Sequence, residues 1–312
     1  MGGEGSRSLH EEGFCPRESH PVTPALDAAI SILFHGLALA SVLYLVSVGL
    51  SVTMGLMGVV NLAHGVFAVA GGYLTVTIMR DLGTGSFPLA ILVAVTVVAA
   101  ASVPIEMLLY RRLYGRSDLE QVLLTIGLAF MSVAAAKYVW GPLSQPFQPP
   151  AWLSGQITVA GRDFPTYRSF LILSGALTAL LLWLALERTR FGARIRAAVD
   201  NRRMAQSLGI DTGRLFTAAF ALGSGLAALG GGLGAEILAV QPAYALQYLV
   251  YFLITVSVGG LGSIRGPFVA AILLGVADTG FKYLLPEFGA FFIYALTMLL
   301  LLWRPNGLFG RA

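Results

Sequence analysis

From residue 28 to the C-terminal end, long apolar stretches alternate with short polar clusters. Between Ala28 and Met79 there is no Asp, Glu, Lys or Arg, a run of 52 residues. Leu82 to Ile105, Leu215 to Ala235 and Ile237 to Ile264 are equally free of charge. One membrane-spanning helix needs about 20 apolar residues, so each run is long enough to cross a bilayer. The pattern predicts an all-α, polytopic integral membrane helix bundle. Apolar segments at 28–57, 61–79, 86–110, 118–139, 168–186, 214–236, 245–262, 267–283 and 288–303 predict eight or nine transmembrane helices. As one helix, the first run would extend about 78 Å, more than two bilayer cores. The chain therefore turns or breaks inside it, and Gly55, Gly58, Asn61, His64 and Gly65 mark the place. Residues 28–79 read either as two plain helices or as one helix followed by a broken one. Residues 1–25 are polar and of mixed charge, and lead into an apolar stretch too long for a secretory signal. They read as a flexible tail before a transmembrane domain over 26–312.

Composition strengthens this picture. The chain is 56% hydrophobic and 12% charged, about half the charged share of a soluble domain. Cys15 is alone, so no internal disulfide is expected, and no Cys/His cluster has the spacing of a metal site. The net charge of +4 is less informative than its distribution. One set of alternate loops holds Arg111, Arg112, Arg116, Arg188, Arg190, Arg194, Arg196, Arg202, Arg203, Arg214, Arg265, Arg304 and Arg311. The other holds Arg80, Lys137, Arg162, Arg168 and Lys282. With Arg7 and Arg17 of the tail left aside, the split is 13 to 5. Basic residues accumulate on the cytoplasmic side, so the first set and the C-terminus are expected there. The loop from Trp140 to Tyr167 then faces outward, with Trp140 and Trp152 suited to the membrane–water interface. Arginines confined to short loops between apolar segments exclude a nucleic-acid partner and leave the lipid bilayer as the environment.

The loop over 187–214 carries seven arginines and three acids. Ile195, Ala198, Val199, Ala205 and Leu208 recur at helical spacing, opposite Arg194, Arg196, Asp200, Arg202 and Arg203. Gly209 follows as a helix cap would. The segment reads as an amphipathic helix outside the bilayer. Its apolar side would either lie on anionic lipid or fill a groove on a soluble partner.

Two glycine-rich segments are the candidates for a path through the membrane. Over 54–74 these are Asn61, His64, Gly65, Gly71 and Gly72; over 258–280 they are Gly259, Gly260 and Gly262. Discontinuous helices often line transport paths. The bland alternative is that Asn61 and His64 serve the backbone freed at a break, and that the glycines allow close helix packing. Placing Gly65 over Gly266 also matches Phe67 with Phe268 and Ala70 with Ala271, and sets His64 on Arg265, a loose internal echo. Glu106 lies near a helix end, Glu236 at an outer end, and Asp278 four residues before Lys282 on one helix face. His35, His64 and Asp278 are the candidates for a proton relay, and they do not form one. Neither lysine sits in a phosphate-binding loop, and no H-E-x-x-H or G-x-S-x-G motif is present. Any ATP that drives transport is therefore hydrolysed on another subunit, no cofactor is expected, and the chain reads as a non-enzyme.

Several motifs in order carry a resemblance. NLAHG at 61–65 with AGGYL at 70–74, ERTRFGARIRAA from 187 with MAQSLGID at 204–211, VGGLGSIRGPFVAA at 258–271 and RPNGLFG at 304–310 resemble branched-chain amino acid ABC transporter permeases of the Liv type. The similarity runs from about residue 30 to the C-terminus. It implies a multi-pass inner-membrane permease that pairs with a homologous second permease, two cytoplasmic ABC ATPase subunits and an extracytoplasmic substrate-binding protein. It makes 187–214 the coupling loop, with Arg194, Arg196, Ala198, Arg202, Arg203, Ala205, Leu208 and Gly209 as ATPase-docking candidates. The loop departs from the E-A-A-x-x-x-G form of other ABC permeases, because Gly209 comes eleven residues after Ala198. The implied substrate is a branched-chain, neutral apolar amino acid. Urea, short amides or nucleosides, and an ion-coupled carrier, are the alternatives.

Overall fold

A computed structural model of the chain describes residues 24–159, 162–263 and 265–310. The expected tail up to residue 23, Arg311 and Ile264 of the second glycine-rich segment lie outside them. The helices are α1 (Pro24–Met57), α2 (His64–Leu82), α3 (Phe87–Leu108), α4 (Asp118–Trp140), α5 (Thr166–Arg188), α6 (Arg190–Asp200), α7 (Arg202–Ser207), α8 (Thr212–Leu233), α9 (Tyr244–Gln247), α10 (Leu249–Gly259), α11 (Arg265–Leu284) and α12 (Gly289–Trp303). Strands β1 (Gln156–Val159) and β2 (Arg162–Pro165) pair antiparallel, with Ile157 opposite Phe164. This hairpin is an addition to the all-α expectation.

Among the described residues, six helical stretches are long and apolar enough to cross a membrane: Ala25–Gly55, Thr84–Leu108, Asp118–Trp140, Thr166–Arg188, Thr212–Glu236 and Arg265–Leu284. Tyr244–Gly259 and Phe291–Trp303 are shorter apolar helices. Each of the nine apolar segments of the sequence thus holds a helix, and the chain is a multi-pass membrane protein.

α8 is the most enclosed helix, and α1, α2 and α3 pack around it, while α11 flanks α1 on another side. Small residues make this possible. A Cβ on Gly231 would sit 1.8 Å from the Ala68 carbonyl oxygen, and one on Gly71 2.3 Å from that of Ala228. α1 meets α8 through Gly49 and Gly223, and α11 through Gly36 and Gly275. Lipid supplies no hydrophobic force between helices, so dispersion at close approach has to hold them together. α4 starts at a capping box, in which Ser117 and Glu120 bond each other's backbone N–H.

The charged residues gather at two ends of the bundle. At one end Arg162 pairs with Asp27, Phe34 packs on Phe164, and Arg168 reaches His35 and Glu236. The hairpin and the first turns of α1 and α5 lie here. At the other end Glu187, on the last turn of α5, lies 3.4 Å from Arg265 and 3.9 Å from Arg196. Gly55 packs there against Gly262. α1 therefore starts beside the hairpin and finishes at the arginine-rich end.

Candidate functional site

The long first run is one helix and one broken helix. Gly58 has a φ of 63°, a left-handed conformation that a side chain would resist, and α1 stops there. α2 does not begin at the same level. His64 Nε2 lies 3.2 Å from the carbonyl oxygen of Val46, 11 residues before Met57. At 1.5 Å per residue this is about 16 Å back along α1. Residues 58–63 therefore climb back into the bundle without regular structure.

Non-helical backbone is tolerated at membrane depth only where the protein satisfies it. Here Val60 N–H donates to Gln121 Oε1 of α4 at 2.9 Å, and Ala63 N–H to Asn61 Oδ1 at 3.1 Å. Tyr110 OH donates to the same Asn61 oxygen at 2.8 Å, and Gln121 Nε2 to the Arg116 carbonyl at 3.1 Å. Asn61 and His64 are 2% and 1% exposed. Asn61 thus serves the freed backbone inside this chain, while His64 meets a carbonyl within α1. Gln121 does so too and Tyr110 holds the Asn61 side chain, and sequence spacing gave no sign of either because their partners lie 61 and 49 residues away. Gly65 faces Ala245, and Gly71 and Gly72 face α8 and Val240.

The second break, between α10 and α11, lies at the arginine-rich end and not in the middle. Gly259 packs on Gly266, while Gly260 and Gly262 take φ values of 98° and 74°. The carbonyls of Val258 and Gly259, freed where α10 ends, accept hydrogen bonds from Leu308 and Phe309 N–H at 2.7 and 3.1 Å. The RPNGLFG segment is thus a strap across the end of α10. The loose echo holds in one respect: α2 and α11 begin at His64 and Arg265, the positions it superposes. The depth of the two breaks differs. Of the eight path candidates, Gly262 lines an open cavity, whereas Asn61, His64, Gly65, Gly71, Gly72, Gly259 and Gly260 are buried.

The loop over 187–214 departs from the single amphipathic helix expected of it. Asn201 breaks it, with an extended φ of −154°, and caps α7 by accepting from Met204 N–H at 3.0 Å. Most of the apolar side packs on this chain's own helices. Ile195, Ala198 and Ala205 are buried against Val52 of α1 and against Leu215, Phe216 and Ala219 of α8. Val199 and Leu208 are the exceptions, 38% and 74% exposed, the latter because α7 has ended one residue earlier. Gly209 closes the helix as expected: its φ is 81°, its N–H bonds the Gln206 carbonyl, and Ile210 N–H bonds that of Ala205. Arg194, Arg196, Arg202 and Arg203 are exposed, with Val199 38% and Met204 59% exposed beside them. Arg196 also donates to the Leu186 carbonyl, and the Arg202 guanidinium stacks 4.8 Å over Phe216.

A buried carboxylate braces this end. Glu106, fully enclosed on α3, accepts from Tyr114 OH at 2.6 Å and from Thr217 Oγ1 at 2.7 Å, with Arg111 at 3.6 Å. Burial above all, then the Glu106 hydrogen bond and charge, pushes the Tyr114 phenol far above its usual range, so it stays a donor. The pair foreseen on α11 is present, with Lys282 Nζ 2.6 Å from Asp278 Oδ2.

Comparison with known proteins agrees with this architecture. The chain is 26% identical over 300 residues to the high-affinity branched-chain amino acid transport system permease protein BraD of Pseudomonas aeruginosa, covering 92% of this chain and 98% of that one. It is 27% identical over 293 residues to the permease protein LivH of Escherichia coli K12, covering 89% and 94%. It is 27% identical over 269 residues to a probable LivH of Methanocaldococcus jannaschii, covering 84% of each. No solved structure matches the chain. Residues 32–301, nearly the whole membrane bundle, match the family described as branched-chain amino acid transport system / permease component, and the chain belongs to that family.

Proposed function

We propose that the chain is the membrane permease of an ABC importer for branched-chain amino acids. A homologous second permease, two cytoplasmic ABC ATPases and an extracytoplasmic binding protein would complete the transporter. The observation that carries this reading is the family match over 32–301, together with an exposed, arginine-rich α6–α7 face. The arginine-rich end, with the C-terminus, faces the cytoplasm of the cell under this reading, as the basic-residue bias requires. Arg194, Arg196, Arg202, Arg203 and Leu208, joined by Val199 and Met204, form the face that meets the ATPase. Ala198, Ala205 and Gly209 hold that face in place. Because α6 and α7 rest on α1 and α8, a push on the face is passed to α1, which ends at the first break and whose Gly55 packs on Gly262 of the second. The path opens and closes near 55–72 and 258–275, by movements that expose groups buried in this state.

Uptake by the complete transporter in proteoliposomes tests the reading. Labelled leucine should enter with ATP inside and binding protein outside, and unlabelled isoleucine and valine should compete. Competition by urea or nucleosides alone, or uptake abolished by collapsing a proton gradient with ATP intact, would overturn it. Arg202→Ala with Arg203→Ala should lower uptake per ATP hydrolysed while membrane insertion persists; unchanged uptake and unchanged ATPase co-purification would remove the docking assignment.

A further inference from the structure

A cavity of about 740 Å³ opens at the arginine-rich end between the last turns of α1 and α5, helix α6, the α10–α11 break and the C-terminal strap. This volume falls in the range of about 300–1,000 Å³ typical of small-molecule sites. Its chemistry is mixed in a particular way. Val52, Leu186, Ile195, Leu301 and Phe309 make an apolar wall, and four charged side chains, Glu187, Asp200, Arg196 and Arg265, stand over it. Two are acidic and two basic, so the lining carries no net charge. Glu187 serves both guanidiniums, at 3.4 and 3.9 Å, longer than the 2.7–2.9 Å of a tight charged hydrogen bond. Glu187 and Arg265 are partly exposed and their pairing is long, so a ligand can exchange partners with them at little cost.

A simple anion or cation would leave one pair of charges in excess. A ligand with one carboxylate, one ammonium and an apolar side chain keeps the balance and covers the wall. We infer that this cavity is a binding site for a zwitterionic, apolar amino acid on the inner side of the permease. The carboxylate would take Arg196 and Arg265, the ammonium Glu187 and Asp200, and the side chain the wall. The site joins the α6 face to the strap over α10, so its occupation would tie the ATPase-facing element to the second break and slow turnover as the product accumulates. The identity of the amino acid rests on the proposed importer function; the chemistry of the site does not.

Binding of labelled leucine to the complete permease–ATPase complex in nanodiscs, without binding protein, tests this. Saturable binding is expected, displaced by unlabelled leucine and not by isovalerate or isoamylamine, which each carry one of the two charges. Glu187→Gln and Arg265→Gln should each weaken it at least about tenfold, the cost of a charge-assisted hydrogen bond. Leu301→Trp, a partly buried wall position away from the ATPase-facing side chains, should block it by filling the cavity. In proteoliposomes, leucine on the ATPase side should lower ATP hydrolysis. No saturable binding in the wild type, equal displacement by isovalerate, or binding untouched by all three variants would overturn the inference. If leucine is taken up but does not bind here, this site alone fails. If leucine is not taken up while another zwitterion binds and is displaced as described, the importer's substrate assignment fails and the site stands.

Discussion

Asn61 shows how a single side chain keeps an irregular membrane segment folded. Its carbonyl oxygen receives Ala63 N–H and Tyr110 OH, and both donors are otherwise buried in apolar surroundings. Asn61→Ala leaves two donors without a partner. It should cost about 2–4 kcal/mol, at 1–3 kcal/mol per unsatisfied group with some relaxation, read as a lowered midpoint of thermal unfolding in detergent. Tyr110→Phe removes a donor and leaves Asn61 its backbone bond, so its cost should be smaller, about 1 kcal/mol. At Gly231 the added Cβ meets backbone, at 1.8 Å from the Ala68 carbonyl oxygen. Gly231→Ala should therefore destabilise by at least about 1–3 kcal/mol, because α8 and α2 must separate. Gly127, with open space around it, should accept alanine with no measurable loss of stability in the same assay. In the sequence these glycines look alike; only the neighbouring helix separates them.

At the scale of elements, the α6–α7 pair divides its arginines. Arg202 stacks on Phe216 of α8, whereas Arg203 is exposed on the α7 surface. Arg203→Ala should reduce ATPase-coupled uptake with little change in unfolding midpoint. Arg202→Ala should lower both, since an exposed to partly buried cation–π contact is worth about 0.5–2 kcal/mol. The hydrophobic period marked Ile195, Ala198, Val199, Ala205 and Leu208 as one apolar side, but period alone does not say that the first, second and fourth are covered while Val199 and Leu208 are exposed. Nor did it reveal the break at Asn201, where a side-chain cap starts a new helix. The C-terminal strap allows a further expectation. Removing residues 305–312 takes away the donors to Val258 and Gly259. It should loosen the end of α10, seen as faster amide exchange at Gly260 and Ser263, while α2 and α8 stay protected. Exchange unchanged at both would remove the strap's structural role.

The whole molecule sorts its charges by end. With Cys15 replaced, Thr158→Cys on the hairpin and Ser207→Cys on α7 should be labelled by an impermeant thiol reagent from opposite sides of the membrane, Ser207→Cys from the cytoplasm. Labelling of both from one side would contradict the assigned topology.

The sequence by itself determined that the chain lives in a membrane, because charge-free runs longer than 20 residues have no other stable solvent. It also determined where the apolar helices fall and that the first run must break. All of these follow from local composition and length. What only the tertiary structure decided is what each polar or small residue in those helices faces. The climb of 58–63 back to the level of Val46, its hold by Gln121 and Tyr110, the enclosure of Glu106 and the cavity under the strap all join residues distant in sequence. Such pairings cannot be read along the chain, because in a bilayer a buried polar group is satisfied by whichever helix packing brings beside it.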